Sequence, residues 1–463
     1  MSSLFGILSI ATGALQAEQG AMDTTANNVA NANTPGYSRL RPVLVEGDPV
    51  VIGSMTYGSG VTLEKIESLR DPILQLRIGE ETQQQGQLNA YVSQMQQAQV
   101  QFTTSSGDIG TEISNFFSSL AQLSADPTSI PVRQGVLAAA GNLATAFQTV
   151  ATSLQQQQSS LNLNVTQDVQ QVNTLTSQIA NLNTQISQMQ GINEDASALV
   201  DQRDVLIGQL SNLVDVSQIQ SDNGITLTTS NGTALVAGGQ SFALTTQTNA
   251  AGQQDIYSQG TDITSQLTAG DLAGLIQVRD QSIPGLLSNL DTLAYSLETN
   301  LNAANAEGYD LNGNRGGVVN GGQDLFVEPQ SQQGAALNMA VGMTNPSLLA
   351  ASSDGSPGSN GNVANFSAVQ NDPVTDGQTP TDYYSNIVSA VGNDVSDGST
   401  ELSAAQSILT QLQDQRNSIS GVSLNEEASN MVQYQNAYDA AAQVVTTIND
   451  MLYTVINMGT LTG

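Results

Sequence analysis

The C-terminal stretch Ser423–Gly463 constrains this chain most. Apolar or small residues fall at Met431, Tyr434, Tyr438, Ala441, Val445, Ile448, Leu452 and Val455, with gaps that alternate three and four. That is the a/d rhythm of a coiled-coil seam. No glycine or proline interrupts Leu424 to Met458, and Ser423 and Glu426 stand in the spacing of a capping box. A helix over this stretch rises about 50 Å, too long for one wall of a small core. Its stripe needs a partner. The other end of the chain offers one: Leu4, Leu8, Ala11, Leu15, Met22 and Val29 follow gaps built from four and three, with Glu18 and Thr25 as polar breaks. Both could be ordinary core helices of one domain. The narrowness of each seam and its position at an extreme end favour pairing with each other and with neighbouring copies, because unsupported ends fray.

Composition narrows the functional classes. The 463 residues allow roughly three domains of about 150 residues each. Ten basic residues against 41 acidic ones leave a net charge of −31, which repels nucleic acid and anionic membrane. Cysteine and histidine are both absent, which removes disulfides, thiolate metal sites and the commonest general base. Tryptophan is missing and aromatics are only 4%, so a sugar-stacking cleft is not expected. No apolar run reaches the length of about 18 residues needed for a membrane span. The apolar N-terminal stretch lacks a basic region before it, so no cleavable signal peptide is expected.

Read in order, the chain leaves its first helix through Ala26-Asn27-Asn28-Val29-Ala30-Asn31-Ala32-Asn33-Thr34-Pro35-Gly36-Tyr37-Ser38-Arg39. Pro35-Gly36 signals a type II turn, with proline presetting φ and glycine accepting a positive one. Short extended pieces are predicted over residues 40–66. Asp71-Pro72 then suits an N-cap and N1 pair opening a glutamine-rich helix to about Phe102. Helices follow over Ile109–Leu123 and from Val132 towards Gln190, the latter after Asp126-Pro127. The cluster Asp201-Gln202-Arg203-Asp204 reads as ion-paired surface charge, not acid–base machinery, since three charges within a turn are poorly specified for catalysis. Period-two patterning then takes over, with Asn231-Gly232 as a hairpin turn, through residues of about 216–278. Helix is predicted to resume near Ile283-Pro284 and to run past Leu301. Asp310, Asn312 and Asn314 mimic three positions of a calcium loop, but Arg315 and Gly321 stand where glycine and glutamate are required, so the match fails. Residues 318–380 read as partly mobile loop with a few strands, and helical periodicity returns from Tyr383.

The opening signature resembles the one shared by axial proteins of the bacterial flagellum. "NTPGYSR" over 33–39, "GYDLNG" over 308–313 and "LNEEASNMVQYQNAY" over 424–438 together resemble the hook-associated protein 1 family, the first of the junction proteins between hook and filament. The chain departs from that family's pattern at Asn305, where many relatives have histidine, and at Asn425, where aspartate is frequent. The resemblance implies a structural adaptor without catalysis or cofactor, located in the flagellum outside the cell. The implied partners are other copies of itself in a ring-like helical layer, the hook protein, the second junction protein and an export chaperone holding the C-terminal helix. It also implies export as an extended chain through a type III apparatus. Another axial protein, or a secreted adhesin, is the alternative.

The expected fold is mainly α with an inserted β-rich domain. Long terminal helices would form a coiled-coil-like core, with a helical-bundle middle domain and a small β domain on the outside. The expected division is 1–40 with 421–463 as assembly core; 41–215 with 281–306 and 381–420 as a helical rod-like domain; and 216–280 with 307–380 as a β-rich, loop-rich outer domain. Assembly contacts are expected from Leu4, Leu8, Leu15, Met22, Asn27, Asn28, Val29, Asn31, Asn33, Pro35, Gly36 and Tyr37. At the other end they are expected from Leu424, Met431, Tyr434, Tyr438, Val445, Ile448, Leu452 and Val455.

Overall fold

The computed structural model describes residues 2–52, 55–103, 107–192, 194–221 and 224–460, so the last three residues of the C-terminal stretch and residues 222–223 of the β-rich stretch lie outside it. The chain begins with helix α1 (Ser2–Ala30) and strands β1 (Leu40–Glu46), β2 (Val50–Ile52), β3 (Met55–Tyr57) and β4 (Val61–Ser68). Four helices follow: α2 (Pro72–Thr103), α3 (Ile109–Ala125), α4 (Ile130–Gly191) and α5 (Ser197–Leu213). Next come β5 (Ser217–Ser221), β6 (Gly224–Thr228), β7 (Ala234–Ala237), β8 (Gln240–Ser241), β9 (Leu244–Thr248), β10 (Gln254–Ser258) and β11 (Thr261–Asp262). The remainder is α6 (Asp271–Gln277), α7 (Ile283–Glu307), α8 (Ala335–Asn338), α9 (Val363–Asn371), α10 (Pro380–Ser420) and α11 (Leu424–Thr460). This is the mainly helical chain with a small β insertion that the patterning predicts.

The helix boundaries have local causes. Asp71 opens α2 by accepting the backbone N–H of Ile73 and of Leu74 at 3.0 and 3.1 Å, while Pro72 fills the first position, whose N–H would be orphaned anyway. Asp108 caps α3 through Thr111 N at 3.0 Å. At 62 residues, α4 rises about 90 Å. Helix resumes at Asp271, earlier than predicted. A π-turn over Val278–Ser282 joins α6 to α7 just ahead of Pro284, and this turn accommodates the missing proline N–H without ending the helix.

The chain forms two compact units. One comprises Met1–Thr82, Asn173–Ala243 and Gln406–Gly463. Within it β1 and β4 pair antiparallel as a ribbon, and β5 to β8 form an antiparallel sheet in that order. The Asn231-Gly232 turn closes the β6–β7 hairpin with Gly232 at φ +92°. Leu74 and Ile78 pack on Leu409 and Leu412, and Leu182 and Ile186 pack on Ala196.

The other unit comprises Gln83–Val172 and Leu244–Ala405. Its core holds Phe116, Phe117, Phe147, Phe326 and Phe366, with Phe116 meeting Phe117 edge-on at 5.3 Å. Residues 318–380 differ from the predicted loop with strands. They hold α8, α9 and two 3-10 turns, and among the described residues pairing here is confined to isolated bridges such as Phe326–Val341. Buried amides and carboxylates supply the bonds that a sheet would otherwise make. Asn302 bonds both the carbonyl and the N–H of Phe326, and Asp291 accepts from Gly334 N and Ala336 N. Asn305, the departure noted above, is fully buried; it donates to Gln323 O at 2.9 Å and accepts from Ala350 N at 3.0 Å. The guanidinium of Arg133 is likewise buried, with Nε donating to Pro127 O and Nη1 to Leu349 O.

Candidate assembly site

The two ends of the chain meet within the first unit. Helix α1 packs along α11, and the pair is antiparallel: Asn28 touches Glu427, and Glu18 faces Tyr434 nearer the middle of both. On α1 the deepest positions are small or polar, namely Ala11, Ala17, Ala21, Thr24, Thr25 and Asn28. The heptad reading missed half of this face, because α1 is flanked on a second side by the β1–β4 ribbon. A Cβ at Gly20 would come within 2.6 Å of Leu63 Cδ2, so small residues on α1 let the ribbon approach. Thr25, predicted as a polar break, is buried.

The predicted assembly residues divide by exposure. Leu4, Leu8, Leu15, Met22, Asn31, Gly36 and Tyr37 are half-buried, as are Met431, Tyr434, Tyr438, Val445 and Leu452. Asn28 and Ile448 are buried. Asn27, Val29, Asn33, Pro35, Leu424 and Val455 face solvent. After pairing, the two helices still expose apolar side chains outside the predicted seam: Phe5 (56% exposed), Val432 (58%), Met451 (51%), Tyr453 (71%) and Ile456 (62%).

The signature after α1 forms a polar knot. Pro35 and Gly36 make the predicted turn, with Tyr37 N bonding Thr34 O at 3.2 Å and Gly36 at φ +82°. All four hydrogen-bonding positions of the Asn28 amide are used. Its Nδ2 donates to Leu40 O at 2.8 Å and Glu427 Oε2 at 3.0 Å; its Oδ1 accepts from Tyr37 Oη at 2.8 Å and Leu40 N at 2.9 Å. Burial, aided by Asp201, Glu427 and Asp195, pushes the Tyr37 phenol up to about 12, so it stays a donor at any physiological pH.

Arg39 completes the junction. Its Nε lies 2.7 Å from Glu427 Oε1, its Nη2 lies 2.8 Å from Glu426 Oε1, and its backbone N–H bonds Ser420 O. Glu426 thus pairs with Arg39 and does not reach back to Ser423 as the capping-box spacing predicts. From α10, Arg416 donates to Gly36 O at 2.8 Å. Asp201 and Arg203 of α5, predicted as surface charge, are buried, and Asp204 is half-buried. Asp201 accepts from Ser38 N, Ser38 Oγ and Arg70 Nη2, and Arg203 donates to Asn183 Oδ1. Arg70, Asp201, Arg416 and Glu427 carry no local signal of these contacts, because their partners lie more than a hundred residues away. Lone charges beside a seam were the one available signal.

In the loop with calcium-like spacing, the Asp310 carboxylate accepts from Asn312 N and Asn314 N of its own loop. Among the described residues no group of three or more metal-ligating side chains comes together. No described helix is long and apolar enough to cross a membrane.

Both ends carry matches to the flagellar axial class: residues 8–37 to the family described as flagella basal body rod protein, and residues 413–458 to flagellar basal body rod FlgEFG protein C-terminal. Residues 95–326, half of the chain, match the flagellar hook-associated protein FlgK helical domain. The chain belongs to the flagellar hook-associated protein FlgK family, structural proteins of the hook–filament junction. It is 28% identical to flagellar hook-associated protein 1 of Bacillus subtilis, over 99% of each chain. It is 27% identical to the protein of that name from Salmonella typhimurium, over 99% of this chain and all of the relative. The structure of the flagellar hook junction protein FlgK from Burkholderia pseudomallei superposes with a TM-score of 0.67 at 19% identity, over 74% of this chain and all of that one.

Proposed function

We propose that this chain assembles at the distal end of the hook and joins it to the filament, acting as an adaptor without catalysis. The observation that carries this reading is the set of apolar side chains left exposed on the paired terminal helices. Phe5, Val432, Tyr453 and Ile456 are more than half exposed on a pair that has already closed its own seam, and surfaces of that kind are covered in use. The occupants under this reading are neighbouring copies in a ring-like layer, with the hook protein on one side and the second junction protein on the other. The finer division into an assembly core of 1–40 with 421–463, a rod-like middle and an outer domain is part of the same proposal.

Before assembly, the C-terminal helix is the segment an export chaperone would hold, since its apolar stripe is continuous from Met431 to Val455. The site of action is outside the cell, reached by type III export. Electron microscopy of a deletion strain tests the reading: hooks should be present without filaments, with filament protein lost to the medium as monomer. Filaments of normal length on such cells would refute it.

A further inference from the structure

We propose that, in the assembled layer, the solvent-facing side of α2 around Arg77 docks on the acidic outer face of α10 of the next copy of this chain. The inference rests on the reading that copies stand side by side in a layer, and it adds a contact outside the terminal helices. Its first support is the use made of the basic side chains. Arg39, Arg41, Lys65, Arg70, Arg203 and Arg279 each pair with a carboxylate. Arg133 and Arg416 donate to backbone carbonyls, and Arg315 lies over the ring of Tyr309. Only Arg77 of the ten has no partner among the described residues, and it is exposed. Glu80 and Glu81, three and four residues further along α2, make no ion pair with it.

The surroundings of Arg77 suit a contact. Leu74 and Ile78 pack on Leu409 and Leu412 of α10, which leaves Ile73, Leu76 and Arg77 together on an adjoining face turned to solvent. Ile73 is 72% exposed and Leu76 41%. Arginine beside exposed aliphatic side chains is interface composition, since arginine is enriched where lysine and glutamate are depleted. The partner such a face selects is acidic, and the chain itself carries one. Asp394, Asp397 and Glu401 are spaced three and four on one exposed face of α10, and none of them has an ion pair among the described residues. Partial desolvation and the neighbouring Asp397 hold the Asp394 carboxyl above its ordinary value, so an incoming guanidinium relieves a standing repulsion. At −31 per copy, neighbours repel wherever carboxylate meets carboxylate, and a free cation on one side turns that contact attractive. The two faces are different surfaces of one chain. Contact is therefore head-to-tail, and every copy within a ring or helical layer uses both.

Charge reversal in the full chain, expressed in a strain lacking its gene, tests the contact. The parent must first restore filaments; if it does not, the junction reading fails and the contact falls with it. Once it does, Arg77→Glu should raise the loss of filaments under shear about tenfold or more, and Glu401→Arg should act in the same direction. Both substitutions in one chain set opposite charges face to face again and should return most of the retention. The urea midpoint of purified Arg77→Glu should stay at the parent's value, because no partner within the chain is lost. Photo-crosslinking identifies the occupant. With Leu76 replaced by p-benzoylphenylalanine, illuminated flagella should yield a covalent dimer of this chain whose linked peptide includes residues 394–401. Adducts only with the hook protein or the second junction protein would overturn the proposal, as would no adduct at all. So would full retention by Arg77→Glu, or a double variant as shear-labile as the worse single one.

Discussion

Gly36 shows how one residue serves two requirements at the junction. Its φ of +82° disfavours any side chain, and a Cβ there would also strike Val205 Cγ2 on α5. Gly36→Ala should therefore lower stability by about 2–3 kcal/mol, read as a shifted urea midpoint at unchanged slope. The turn itself was legible from Pro35-Gly36; the clash with Val205 was not, because nothing local connects position 36 to position 205. Glu298 makes a separate prediction. It sits on α7 almost wholly buried, and burial pushes its carboxyl from the ordinary 4.5 up to about 8. Between those values the folded chain keeps a proton that the unfolded chain releases. The stabilisation from this group is thus complete below pH 4.5 and is lost as pH rises towards 8. Glu298→Gln should flatten that slope in thermal melts from pH 5 to 8 and gain on the order of 2 kcal/mol at the upper end.

At the level of elements, periodicity proved a sound guide to what each segment becomes and a poor one to how many neighbours it has. The three-four rhythm of Leu4, Leu8, Ala11 and Leu15 marks α1 as a helix with one seam. The ribbon on its second side is met by Gly13 and Gly20, whose small size carries no hydropathy signal. Gly20→Val should force α1 and β4 apart and lower stability by about 1–3 kcal/mol. Accelerated exchange at Leu63 and its ribbon neighbours, with α7 unaffected, would localise the damage. Residues 318–380 illustrate the opposite limit. Their Gly, Asn, Asp and Ser content describes a loop, yet Asn302, Asn305, Asp291 and Asn362 bind backbone groups of distant segments and hold the region compact. Composition cannot distinguish a polar side chain that bonds water from one that bonds a buried carbonyl.

For the molecule as a whole, the prediction concerns removal of 424–463. That truncation strips α1 of its antiparallel partner and Arg39 of both glutamates, while Arg133 and the phenylalanine core of the second unit keep their partners. It should leave a soluble chain with the second unit's exchange protection intact, unable to cap hooks or bind the export chaperone. A truncated protein that still caps hooks in a deletion strain would contradict the assembly reading. The family likeness was legible at both ends and in the middle because its motifs are turn and cap chemistry, which acts over a few residues. Helix lengths, the hairpin and the Pro35-Gly36 exit follow from backbone preferences and solvent aversion within a local window, and the linear chain contains all of that information. The pairing of Asn28 with Glu427, the burial of Asp201 under Ser38 and Arg70, and the ribbon against α1 depend on segments up to 399 residues apart. Only three-dimensional packing chooses among the many partners a lone amide or carboxylate could accept, because the stability of each such bond depends on the water excluded around it.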